Sequence, residues 1–238
     1  MYPILFSCPY FTVYSFGLCL FVGYVLYTRL LERDPVITAH FNKNQLHALI
    51  FGGMLAAIIF SRVFYFLGSP EGFDSFFEVI NVADQQGGFS VLGALLGICI
   101  YAFFIYKNYN FPFKKVVDRC ALYAPFLHAC GRIGCFLAGC CYGLSSYPIQ
   151  LHSAVMLALI GLILMRMHKK LEKVPGRLTC FYLIALAAER FTVDFWRGDR
   201  VLFSQDSVLS FDQYGALVLI SVSVSVALFL EYVDRHAS

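Results

Sequence analysis

Apolar runs about 20 residues long, separated by short polar links, constrain this chain more than any other feature. About 20 mostly apolar residues are needed to cross a bilayer as a helix. Such runs cover roughly 11–28, 46–67, 87–106, 148–167, 178–196 and 211–230, with one more, holding 128–143, after Lys114 and Lys115. The implied fold is all-α: a polytopic membrane protein with seven transmembrane helices around a lipid-accessible polar cavity. A chain of 238 residues that is 59% hydrophobic and only 14% charged excludes a soluble domain. No repeat, low-complexity tract or linker divides it, so residues 1–238 read as one domain.

The charges report topology rather than a nucleic-acid partner. Arg29, Arg33 and Lys43 follow the first run, Lys107, Lys114 and Lys115 the third, and Lys169, Lys170, Lys173 and Arg177 the fifth; Arg235 lies beyond the last. Alternate links are therefore basic, which places the N-terminus outside and the C-terminus in the cytoplasm. Arg197 and Arg200 fall on the outer side and read as headgroup or site residues. The link at 68–86 has Glu71, Asp74, Glu78 and Asp84 but no Lys or Arg, and its Phe73, Phe76 and Phe77 suggest a segment lying on the membrane surface. Residues 1–10 read as a short apolar lead at an interface. The N-terminus has no basic n-region, and its first apolar run is long enough to remain as a helix.

The chemistry concentrates in 128–143, His-Ala-Cys-Gly-Arg-Ile-Gly-Cys-Phe-Leu-Ala-Gly-Cys-Cys-Tyr-Gly. Arg132 sits in an apolar stretch, surrounded by Gly131, Gly134, Gly139 and Gly143; the last two form a small-xxx-small pair that permits close backbone approach. A guanidinium at bilayer depth costs about 2.5–3.5 kcal/mol on insertion scales, so it faces a partner, a cavity or a ligand. A second cluster runs from Glu189 to Arg200, and helical spacing puts Arg190, Asp194 and Arg197 on one face. Arg62 lies on another helix. One carboxylate could neutralise an arginine structurally, but the arginines outnumber the carboxylates at that depth, and the surplus favours an anionic lipid phosphate. The nine cysteines lie mostly in apolar runs as small buried hydrophobes. Cys135, Cys140 and Cys141 lack zinc-finger spacing, and no metal site is expected.

The chain resembles the prolipoprotein diacylglyceryl transferase family. The strongest match is Gly131-Arg132-Ile133-Gly134-Cys135-Phe136-Leu137-Ala138-Gly139-Cys140-Cys141-Tyr142-Gly143, similar to the family's Gly-Arg-x-Gly-x-Phe-x-x-Gly-x-x-x-Gly. Tyr2-Pro3-Ile4-Leu5-Phe6, Tyr14-Ser15-Phe16-Gly17-Leu18, Ser61-Arg62, Gly87-Gly88-Phe89-Ser90, Pro148-Ile149-Gln150-Leu151, Glu189-Arg190 through Arg197, and Ser210 to Gln213 match further elements in order. The chain departs from the pattern as well. Leu92 stands where the family has a histidine after its Gly-Gly-x-Ser, and Phe16 where it has a tyrosine. Cys135 and Cys140 replace an Asn and a Glu, Leu186 a tyrosine, and His152-Ser153 a Tyr-Glu.

The resemblance implies transfer of the diacylglyceryl group of phosphatidylglycerol to the lipobox cysteine thiol of a prolipoprotein signal peptide, in the bacterial inner membrane. Arg132 and Arg190 become the phosphate-holding catalytic residues, with His128 or His152 as a base in place of the missing histidine. The expected substrate-binding set is Arg132, Arg190, Arg62, Gly88, Ser90, Gly131, Gly134, Gly143, Arg197 and Gln150. No cofactor is required, and the partners are phosphatidylglycerol, prolipoprotein signal peptides and membrane lipids. The alternative is a diverged paralogue that binds an anionic phospholipid and either transfers to another acceptor or is non-catalytic.

Overall fold

A computed structural model describes residues 2–8, 11–68, 91–108, 111–198, 200, 202 and 207–237. The chain opens with a hairpin rather than an apolar lead: β1 (Ile4–Cys8) and β2 (Phe11–Tyr14) pair antiparallel, with Cys8 opposite Phe11 and Phe6 opposite Val13. Aromatic and β-branched Phe11-Thr12-Val13-Tyr14 favour extended backbone. The first helix therefore starts at Ser15, not Phe11. Ser15 is buried, and its backbone N–H donates to the Pro3 carbonyl at 3.0 Å, fixing the hairpin to that helix.

The helices are α1 (Ser15–Glu32), a short α2 (Pro35–Thr38), α3 (Lys43–Gly68), α4 (Val91–Asn108), α5 (Phe113–Ala138), α6 (Ile149–Leu171), α7 (Arg177–Asp194) and α8 (Phe211–Ala237). Among the described residues, each apolar run of the sequence overlaps one long helix. Five of them, α1, α3, α5, α6 and α8, are long and apolar enough to cross a membrane by length and composition. Among the described residues, α4 contributes the shorter apolar stretch Gly93–Asn108. Helix α7 carries Arg177, Glu189, Arg190 and Asp194 within 18 residues, and those charges lower its hydropathy. Val155, Leu159 and Leu162 form an exposed apolar stripe on α6, as do Val218, Val222 and Phe229 on α8. Such stripes suit a hydrocarbon solvent.

Two compact units emerge, residues 37–113 and residues 1–36 with 114–238. In the smaller, α3 packs on α4 at close range: a Cβ on Gly97 would stand 2.5 Å from the Ala56 carbonyl oxygen. Arg62 of α3 is buried.

In the larger unit, α5, α6 and α7 share a core of Leu122, Leu164, Leu171, Leu178 and Tyr182. Near it, Ala129, Ala154 and Leu157 continue the same packing. The buried Asp118 caps α7 from another helix: it accepts from the backbone N–H of Gly176 at 2.7 Å and of Thr179 at 2.9 Å, and from the Thr179 hydroxyl at 2.6 Å. The unpaired N–H groups of a helix start need such a partner. Asp118→Ala would leave them buried without one, at a cost of about 1–3 kcal/mol. The expected result is a clearly lowered melting temperature in detergent, with a smaller loss for Thr179→Val. Wild-type melting of Asp118→Ala would refute the capping role.

Candidate active site

The site grows from the end of α5. Gly139 takes a left-handed φ of 83°, and the N–H groups of Gly139 and Cys140 both return to the Cys135 carbonyl, at 3.0 and 3.2 Å. A left-handed glycine is the common way to close a helix while satisfying its last carbonyls. Cys141 follows with φ 54°, an uncommon conformation for a residue bearing a Cβ. The chain then crosses to the exit of α7. Gly143 forms an isolated bridge with Arg197, Leu144 N–H donates to the Trp196 carbonyl at 2.8 Å, and Gly198 N–H donates to the Tyr142 carbonyl at 2.8 Å.

Gly143 is buried, and a Cβ there would collide with the Tyr147 carbonyl and lie 3.2 Å from the Ile149 Cβ. From α6, the buried Gln150 donates its side-chain amide to the Cys140 carbonyl at 2.8 Å. Tyr2 N–H donates to the Leu137 carbonyl at 3.0 Å, so the N-terminal hairpin also braces the end of α5. An open depression of about 580 Å³ lies over this turn, lined by Gly139, Tyr142, Gly143, Tyr147, Gln150 and Gly198, among others.

The arginines divide into paired and unpaired. Arg190 is bound to Asp212, and Arg197 reaches Asp212 at 3.1 Å and Asp194 at 3.5 Å. Arg200 contacts the second oxygen of Asp194 at 3.3 Å and donates to the Gln213 side chain at 2.6 Å. The Ser210 hydroxyl also donates to Asp194, and Ser210 and Gln213 exchange hydrogen bonds at 3.0 and 3.1 Å. That exchange is a capping box, and it fixes the start of α8 so that Asp212 faces the arginines. Asp194 and Asp212 together hold Arg190, Arg197 and Arg200. Arg132 is half-buried, and among the described residues it has no carboxylate or hydrogen-bond partner. It lies within electrostatic reach of Arg190 and Cys141.

A second polar line runs beside the arginines. His128 Nδ1 meets the hydroxyl of the buried Tyr182 at 2.8 Å. Tyr182 lies within electrostatic reach of Glu189, which is buried and accepts from the Ser153 hydroxyl. The second Glu189 oxygen is buried without a partner among the described residues. Where the family resemblance places a carboxylate on α6 next to His152, this chain has Ser153, and the carboxylate it touches stands on α7.

Around the end of α5 the larger unit places Arg132, Arg190, Arg197, His128, Gly143 and Gln150, whereas Gly131 and Gly134 face α1. Gly134 is buried where α1 crosses α5: a Cβ on it would stand 3.0 Å from the Phe16 ring and 3.1 Å from the Cys19 Cβ. Gln150 holds the turn through its amide group. His152 stands beside Tyr147, their rings 6.3 Å apart. Arg62 belongs to the other unit. Gly88 and Ser90 lie outside the described residues, as does the 69–86 link; Leu92 falls within α4. Sequence reasoning did not single out Asp212, Tyr182 or the Glu189–Ser153 pair. Tyr182 and Glu189 stand seven residues apart, two helical turns, which was an available signal; the pairing with Asp212 crosses between helices and left none.

An all-helical, multi-pass membrane protein with an arginine cluster at a glycine-rich helix end is the class these features define. The chain belongs to the prolipoprotein diacylglyceryl transferase family, whose model matches residues 3–229. It is 26% identical to the phosphatidylglycerol–prolipoprotein diacylglyceryl transferase of Clostridium tetani over 95% of this chain and 96% of that protein. It is 28% identical to the enzyme of that name from Legionella pneumophila strain Lens, over 91% of this chain and 89% of the relative. A shorter match to the Wigglesworthia glossinidia brevipalpis enzyme is 31% identical over 59% of this chain and 50% of the relative. Bacterial relatives together with the apolar helices indicate a multi-pass protein of the inner membrane.

Proposed function

We propose that this chain transfers the diacylglyceryl group of phosphatidylglycerol to the lipobox cysteine thiol of a prolipoprotein signal peptide, within a bundle of seven spans around a lipid-accessible cavity. The observation that carries the reading is Arg132: half-buried, and without an acidic partner among the described residues, while its neighbours Arg190 and Arg197 are already held by Asp212 and Asp194. Neutralised arginines hold a position. An unneutralised one beside them is left for a ligand anion.

In the reaction the acceptor thiolate forms a carbon–sulfur bond as the carbon–oxygen bond to phosphate breaks, and glycerol 1-phosphate departs with the negative charge. Arg132, with Arg190 beside it, stabilises that charge as it develops, as an oxyanion hole does. The thiol proton must leave first. His128 is the proposed acceptor, in the tautomer that donates Nδ1–H to the Tyr182 oxygen and leaves Nε2 a lone pair. Arg62, Gly88, Ser90, Gly131, Gly134, Gly143, Arg197 and Gln150 complete the proposed substrate-binding set.

The direct test incubates purified protein with phosphatidylglycerol and a lipobox peptide and follows peptide mass. Addition of one diacylglyceryl group supports the reading. Retention of phosphatidylglycerol with no transfer would instead identify a lipid-binding paralogue. A free thiol has a pKa near 8.5, so turnover without a base should climb steadily towards that pH. A histidine base shows instead as a separate rise at lower pH that is lost in His128→Ala. A profile unchanged in His128→Ala would remove that residue from the mechanism.

The proposed orientation places the N-terminus outside and the C-terminus in the cytoplasm, on the strength of the basic alternate links. A reporter fused after Ser238 should read cytoplasmic, and one inserted between Asp74 and Asp84 should read external. The reverse pair of readings would overturn this topology.

A further inference from the structure

The sulfur atoms of Cys135, Cys140 and Cys141 all lie within 4.8 Å of one another. The spacing in sequence is uninformative, and the turn creates the cluster. The left-handed Gly139 and Cys141 fold the chain back over the last turn of α5, so that Cys140 and Cys141 return to Cys135. We infer that Cys135, Cys140 and Cys141 form a three-thiolate site for a soft, closed-shell metal ion, of which Cu(I) is the best match, beside the arginine cluster.

Three observations support this. First, the geometry is nearly closed around an ion. Metal–sulfur bonds of about 2.3 Å put three sulfurs roughly 3.8–4.0 Å apart, a small contraction from the 4.8 Å envelope. Second, among the described residues no histidine or carboxylate joins the group. Sulfur-only donors select soft ions such as Cu(I) and Zn(II), whereas Mg(II), Ca(II) and Mn(II) prefer oxygen. Third, positive charge stands close by: Arg197 and Arg132 both lie within electrostatic reach of Cys141. Three thiolates around a monovalent or divalent ion carry net negative charge, and these two arginines offset it. Cys140 is exposed, which gives an ion a way in.

Binding displaces the thiol protons to solvent and involves no change of oxidation state. The test reads metal binding and not transferase activity, so its failure and that of the proposed transfer reaction are distinguishable.

Full-length protein in detergent, its thiols reduced, would be titrated with Cu(I) against a coloured Cu(I) chelator and, separately, with Zn(II) against a coloured Zn(II) chelator. The expected result is one ion per chain, with X-ray absorption showing three sulfur neighbours at about 2.3 Å. Cys135→Ser, Cys140→Ser and Cys141→Ser should each weaken binding by at least about 100-fold, the upper end of what loss of even an outer-shell partner costs. Cys99→Ser should bind as wild type. Thermal unfolding would check that each variant folds; Cys140→Ser, at the exposed position, decides the matter if the other two do not. Failure of wild type to retain either ion, fewer than three sulfur neighbours, or equal retention in Cys140→Ser would each overturn the site. A disulfide that forms within the cluster in place of ion binding would do the same.

Discussion

Arg132→Lys should lose most transferase activity while keeping its fold and its charge. The argument rests on shape. A guanidinium presents a planar fork that can hold two phosphate oxygens at once, and an ammonium is a point charge on a flexible stem. Because Arg132 has no carboxylate partner among the described residues, the substitution breaks no internal ion pair, and stability should hardly change. Loss of an oxyanion-hole donor costs about 2.7–4 kcal/mol of transition-state stabilisation, or roughly 100- to 1,000-fold in kcat. Arg190→Lys should behave differently. Arg190 is also bound to Asp212, so the variant perturbs the α7–α8 contact and should lower melting temperature together with activity. The two variants thus separate a ligand-facing arginine from a paired one. Turnover of Arg132→Lys at the wild-type rate would remove Arg132 from the catalytic set, whatever the fate of Arg190.

Much of this arrangement is legible in the sequence because it is local. Among the described residues the apolar runs became long helices, five of them long and apolar enough to cross a membrane, because about 20 consecutive apolar residues leave a chain in lipid no other way to satisfy its backbone. Arg190, Asp194 and Arg197 share a face at helical spacing, and the structure joins Asp194 to Arg197. The Ser210–Gln213 pair reads as a helix start and is one, through its capping box. What failed to show was set by contacts distant in sequence. The expectation of surplus positive charge holds for Arg132 alone among Arg132, Arg190 and Arg197, because Asp212 on α8 reaches back to two arginines that local spacing cannot connect to it. The hairpin was missed for a different reason. Ile4-Leu5-Phe6 and Phe11-Thr12-Val13-Tyr14 are apolar enough to pass for a membrane lead, and the preference of their side chains for extended backbone was outweighed by hydropathy. The three-thiol cluster depends on positive φ at Gly139 and at Cys141, on either side of Cys140, which residue spacing does not encode.

Gly143→Ala should also be severe, although the added group is a single methyl and far smaller than any change to an arginine. Gly143 is where the signature turn meets the exit of α7. Its bridge to Arg197, with Leu144 bonded to Trp196 and Gly198 bonded to Tyr142, ties the end of α5 to the helix that carries Arg190. A Cβ there meets the backbone carbonyl of Tyr147 head-on and the Ile149 Cβ at 3.2 Å. Neither is the free end of a flexible side chain, so the backbone itself must move. Gly143 has an extended φ of −88°, which any residue can adopt, so the effect comes from space and not from backbone conformation. Moving the turn by even 1 Å would separate Arg132, on α5, from Arg190 and Arg197, on and beyond α7. A misplacement of that size costs about 100-fold in rate when it disturbs a positioned catalytic group. The expected signature is a fall of about that size in kcat with phosphatidylglycerol still bound, since each arginine survives and only their spacing changes. Gly17, around which a Cβ would meet nothing within 4 Å, supplies the control: Gly17→Ala should remain close to wild type. Equal activity in Gly143→Ala and Gly17→Ala would mean that the bridge to Arg197 does not set the geometry of the arginines.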